Sequence, residues 1–158
     1  MSFIILWGTG NPLFGDDGVG PFVVQYLQKK EMEPPICAIN CETTPENYIG
    51  DLQRRHPDLL LIVDAADMGL PPGSTRQIPF EEIQNATFST HGLPLDLLLK
   101  EKAQEIPIIF IGIQPYSQEL GDSLSLPVQN AALELISLLL SGKWEDIPLL
   151  YQEKRSPK

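Results

Sequence analysis

Two adjacent carboxylates, Asp16 and Asp17, stand near the end of a glycine-rich turn, Gly8-Thr9-Gly10-Asn11-Pro12-Leu13-Phe14-Gly15-Asp16-Asp17-Gly18-Val19-Gly20. A third, Asp64, follows the apolar run Leu60-Leu61-Ile62-Val63, and His91 sits in the stretch Phe88-Ser89-Thr90-His91-Gly92-Leu93-Pro94. A glycine turn that carries acids in place of a lysine suits a cation or a basic group, not a phosphate. Asp17, Asp64 and His91 together form an oxygen and nitrogen donor set, hard to borderline in character. It fits Ni(II), Zn(II), Mn(II) or Fe(II), and spacing does not choose among them. Three ligands leave coordination positions open, so such a site could grip a metal that also belongs to another molecule.

Each of these residues also has a plainer role. Acids at a helix N-terminus gain about 0.3–1 kcal/mol from the helix dipole, which accounts for Asp16 as readily as Asp17. Asp64, beside a low-dielectric core, must find a partner, and a backbone amide from a neighbouring loop would serve. A loop histidine can simply be solvated, although the glycine after His91 leaves the backbone free to present it. The other histidine, His56, precedes Pro57 at an expected helix end and suggests no chemistry. Asn11, Glu46, Asp67 and Gln114 have turn or capping roles and are secondary candidates. The residues alone leave both readings of each position open.

Other chemistries fit less well. Gly8 and Gly10 supply the first two glycines of a dinucleotide fingerprint, but Leu13 holds the third place, and Asp16 and Asp17 would face a pyrophosphate with like charge. No Gly-Lys-Ser/Thr follows, which excludes a P-loop. The 11 basic and 21 acidic residues give a net charge of −10, which repels nucleic acid and attracts cations and basic peptide segments. The two cysteines, Cys37 and Cys41, fall on one expected strand. There their Cα atoms stand roughly 13 Å apart, beyond the ~7 Å limit of a disulfide, so reduced thiols are expected. The first basic residue is Lys29, so no secretory signal is expected, and the apolar run at 59–63 is far too short to span a membrane. The expected setting is cytoplasmic, with no membrane and no nucleic-acid partner.

The elements that must position these residues alternate between apolar strands and amphipathic stretches. Strands are predicted at residues 3–7, 36–40, 59–63, 75–78 and 106–111, and helices at about 18–30, 45–55, 95–102 and 127–140. Such alternation predicts an α/β fold, a three-layer αβα sandwich with a twisted, mostly parallel sheet of about five strands. A single domain is expected over 1–142, with a tail at 143–158 lying on the surface or frayed. Ligands of parallel sheets bind beyond the carboxyl ends of the strands, which would bring Asp16, Asp17 and Asp64 to one edge.

At the level of ordered motifs the chain resembles the NiFe-hydrogenase maturation endopeptidases. The resemblance rests on the segment from Gly8 to Gly20, on Leu61-Ile62-Val63-Asp64-Ala65-Ala66-Asp67-Met68-Gly69, and on Thr90-His91. Ile111-Gly112-Ile113-Gln114-Pro115 adds a fourth motif and points to the HycI-like branch serving formate-hydrogenlyase-type hydrogenases. The resemblance implies an endopeptidase that removes a C-terminal peptide from the large-subunit precursor of a hydrogenase after nickel insertion, just beyond a basic residue. It also implies that Asp17, Asp64 and His91 contact the nickel of the precursor, which the free protein, expected to be a monomer, would not retain. Pro12 after Asn11 and Gly92 after His91 depart from the family pattern. Two mechanisms are compatible with this. Either the metal polarises a carbonyl or water, or a carboxylate acts as general base while the metal only docks the complex. Two alternatives from other classes are a non-catalytic Rossmann-like ligand-binding module and a peptidyl-tRNA hydrolase-like enzyme; the negative charge opposes the latter.

Overall fold

The computed structural model describes residues 3–30, 36–88 and 95–150. Its centre is a mixed sheet in the order β2-β1-β3-β6-β4, formed by β1 (Ile4–Thr9), β2 (Ile36–Glu42), β3 (Leu59–Asp67), β4 (Thr75–Pro79) and β6 (Ile108–Ile113). Strands β2, β1, β3 and β6 are parallel, whereas β4 runs antiparallel on the outer edge of β6. A two-residue strand, β5 (Thr87–Phe88), pairs antiparallel with the far end of β3. The expected αβα architecture is therefore present.

The layering follows from period-two alternation along the strands. Ile4 and Leu6 of β1, with Leu61, Val63 and Ala65 of β3, pack under α1 (Val19–Leu27) and α4 (Leu126–Leu140). Ile5 and Trp7, with Leu60, Ile62 and Ala66, pack on the other face against Leu52 of α2 (Ile49–Arg55) and Leu95 of α3 (Leu95–Leu98). Leu60, Leu61, Ile62 and Val63 are fully buried, each stabilising the fold by about 1.5–3 kcal/mol relative to exposure. That uninterrupted run makes β3 the rigid spine of the sheet.

Several boundaries differ from expectation. Strand β3 continues past Asp64 to Asp67, because Ala66 and Asp67 find β5 as a partner. Asp64 is thus inside a strand, opposite Gly112 of β6. The predicted helix at 95–102 is a four-residue helix followed by a 3-10 turn, Lys102–Gln104. The chain after α4 packs against the fold through residue 150. Trp144, Ile147 and Leu150 are buried, and the amides of Gln77 donate to Pro148, Glu145 and Ile147 carbonyls. Residues 151–158 lie outside the described residues. Among the described residues no helix is long and apolar enough to cross a membrane.

Candidate active site at the carboxyl edge of the sheet

The chain turns in opposite directions out of β1 and β3, since β1 has β2 on one side and β3 on the other. The crevice at such a switch point is where open parallel sheets bind ligands. Immediately after β1, the chain passes through Gly10 and a 3-10 turn, Gly15–Gly18, into α1. Gly20 lets the first turn of α1 lie directly on the sheet: a Cβ there would strike the carbonyl oxygens of Thr9 and Val63. Gly10 adopts φ +127°, and a Cβ on it would collide with the Asp17 carbonyl oxygen and stand 3.3 Å from Asp64 Oδ1. The Asp17 backbone and the Asp64 carboxylate therefore both crowd the place a Cβ would occupy, and only a glycine fits there.

The two adjacent acids have different surroundings. Asp16 is fully buried and accepts from Tyr116 N (2.8 Å), Ser117 N (3.0 Å), Ser125 N (2.7 Å) and Ser125 Oγ (2.8 Å). It is a clamp that fastens residues 116–125 to the turn after β1, a role the sequence did not separate from that of its neighbour. Asp17 is nearly as buried, but it faces a cavity of about 360 Å3 lined by Asn11, Phe14, Thr43, Asp67, Thr87, Phe88 and Gln118. Its Oδ2 accepts from Asn11 N (3.1 Å) and its Oδ1 from Gln118 Nε2 (3.1 Å). An ionised carboxylate offers about four acceptor positions, so a further ligand can still be taken.

Asp64 is fully buried beside Gly10 and is not part of the cavity lining. Even-numbered side chains of β3 belong to the face covered by α2 and α3, and Asp64 shares that parity with Leu60, Ile62 and Ala66. Tilted packing of Phe88 on Phe110, with centroids 4.7 Å apart, pins β5 to the sheet and closes the cavity wall. His91 lies outside the described residues, as do its neighbours at 89–94. Among the described residues no three His, Cys, Asp or Glu side chains form a ligand cluster.

Gln114 was a secondary candidate, and its position explains it. Its Oε1 accepts from Met68 N (2.7 Å) and Leu70 N (3.3 Å), while Nε2 donates to Asp67 Oδ1 (3.2 Å). It sets the turn after β3 and aims Asp67 at the cavity. Asn11 does make the expected side-chain turn, accepting from Leu13 N (2.9 Å). Gln118 and the aromatic wall of Phe14 and Phe88 were missed, because only the Asp16 clamp brings residue 118 to Asp17. Both cysteines lie on β2 and are free thiols away from the cavity lining. His56 caps α2 in a left-handed conformation.

Comparison with known proteins bears on what this edge does. A family model described as HycI, hydrogenase maturation protease, matches residues 21–142. The chain is 34% identical over 143 residues to the hydrogenase 3 maturation protease of Escherichia coli K12, covering 89% of this chain and 90% of that protein. The solution structure of the endopeptidase HycI from Escherichia coli superposes with a TM-score of 0.82 at 33% identity, covering 95% and 97% of the two chains. The crystal structure of a NiFe hydrogenase maturation protease, HycI from Thermococcus kodakarensis, gives 0.78 at 30% identity, covering 90% and 92%.

Proposed function

This chain belongs to the hydrogenase maturation protease family and is an endopeptidase, and from that premise we propose that it trims the C-terminal peptide from the nickel-loaded precursor of a NiFe-hydrogenase large subunit. Asp17, Asp64 and His91 recognise the nickel carried by that substrate. The observation that carries this reading is Gly10, where the Asp17 carbonyl and the Asp64 carboxylate both approach the position a side chain would take. Two acids far apart in sequence thereby border one glycine at the switch point of the sheet.

The third donor is supported by chain geometry. Residue 91 is three residues beyond Phe88, a span of at most about 11 Å for extended chain, and Phe88 lines the same cavity as Asp17. Four residues beyond His91 in sequence, α3 begins with Leu95 on the face of the sheet to which Asp64 belongs. Carboxylates and an imidazole are ordinary donors for nickel. A metal held by these donors would keep the adjoining peptide bond in a fixed place, and it would polarise a carbonyl or a water. Asn11 N–H and Gln118 Nε2 meanwhile keep both oxygens of Asp17 oriented.

Nickel then acts as a checkpoint on the substrate. Incubating the protein with nickel-loaded and nickel-free large-subunit precursor, followed by intact mass measurement, tests this. The loaded precursor is expected to lose its C-terminal peptide and the nickel-free one to persist. Equal processing of both contradicts the checkpoint.

A further inference from the structure

Large apolar side chains left in water are unevenly distributed over the molecule. Eight are exposed among the described residues, and five of them, Leu13, Phe14, Tyr116, Leu120 and Leu126, fall on two short segments beside the cavity. They are between 38% and 71% exposed. Scattered apolar exposure needs no explanation, but a concentration of this kind marks an interaction surface.

These segments form one built unit. Gly121 N donates to Leu13 O (2.8 Å) and Asp16 N to Ser117 O (2.9 Å), while Asp16 takes its four hydrogen bonds from Tyr116, Ser117 and Ser125. A fully buried carboxylate is thus used to hold the backbones that display Leu13, Tyr116, Leu120 and Leu126. Phe14 and Gln118 are at once members of this unit and walls of the cavity, so the apolar surface is continuous with the site.

The charge of the unit is as one-sided as its polarity. No Lys or Arg occurs in residues 1–28 or 103–142, whereas Asp16, Asp17, Glu119 and Asp122 all lie on the two segments. We infer that this surface is the docking platform for the polypeptide substrate, and that it fits a segment of the precursor bearing apolar and basic side chains. The inference rests on the substrate reading above. Apolar contacts supply the affinity, and the acids steer the basic segment toward the cavity, an effect that added salt weakens.

The test is a comparison of Leu13→Ser/Leu120→Ser with Leu133→Gln, an exposed apolar position on α4 away from the cavity. Binding of nickel-loaded precursor is measured by titration and its cleavage by intact mass, with thermal melting to confirm that each variant is folded. The double variant is expected to bind at least tenfold more weakly and to show a raised KM with little change in kcat, while Leu133→Gln behaves as the unaltered protein. Glu119→Gln/Asp122→Asn is expected to weaken binding severalfold at low salt and to lose most of that difference at 0.5 M salt. A folded Leu13→Ser/Leu120→Ser protein that binds and cleaves as the unaltered protein does overturns the platform alone. An unaltered protein that neither binds nor cleaves the precursor overturns the substrate reading and the platform with it.

Discussion

Asp16 and Asp17 are neighbours in sequence, equally acidic and similarly buried, yet they sit in two differently built regions. Around Asp16 the structure is closed: four hydrogen bonds converge on its two oxygens. Around Asp17 the structure is open on one side, with one donor for each oxygen and a cavity of about 360 Å3 in front of it. On the proposed reading, what separates the nickel ligand from its neighbour is the space left unfilled beside it, not burial or sequence context. Asp16 uses up its acceptor capacity, whereas Asp17 keeps some in reserve.

Substitutions break this comparison from either side. Asp16→Ala leaves three main-chain N–H groups and one hydroxyl without their acceptor. At ~1–3 kcal/mol for each stranded buried group, the loss is expected to reach about 3 kcal/mol or more, read as a lowered denaturation midpoint. A midpoint within error of the unaltered protein would show that the clamp is not structural. Asp17→Asn keeps shape and one acceptor oxygen, so its stability cost is expected to stay near ~1 kcal/mol while processing of the precursor is lost. Large destabilisation with retained processing would reverse the assignment of the two residues.

Smaller effects sharpen the same contrast. Gln118→Ala removes one of the two donors that orient Asp17 but leaves the carboxylate in place. Its expected effect is roughly tenfold slower processing, equivalent to ~1.4 kcal/mol, with a melting temperature close to that of the unaltered protein. The thiols provide the mildest check. Burial, with a further contribution from Asp51, pushes the Cys41 thiol far up, so it stays protonated at pH 8 and is shielded as well. Alkylation of the native protein is therefore expected to stop at one label, on the half-exposed Cys37, and mass measurement showing two labels without unfolding would count against the packing of β2.

The strand and helix alternation was legible because hydrophobic periodicity records burial directly. The run Leu60-Leu61-Ile62-Val63 announced a strand covered on both faces, and it is one. What periodicity could not convey was the extension of β3 to Asp67, which depends on pairing with the two-residue strand β5, too short to leave a pattern. The docked segment at 143–150 was likewise hidden, since its anchors Trp144, Ile147 and Leu150 follow no single period. At the site, acids after β1 and in β3 were legible from residue type and the switch-point rule. The division of labour between Asp16 and Asp17 was not, because the amides that satisfy Asp16 lie about a hundred residues further along the chain. Gln118 escaped notice for the same reason.

The measurement that bears most directly on the central claim is processing of a nickel-loaded large-subunit precursor by the unaltered protein and by Asp64→Asn, followed by intact mass. The account predicts release of the C-terminal peptide by the unaltered protein and none by a folded Asp64→Asn. Release at the same rate by both would contradict it.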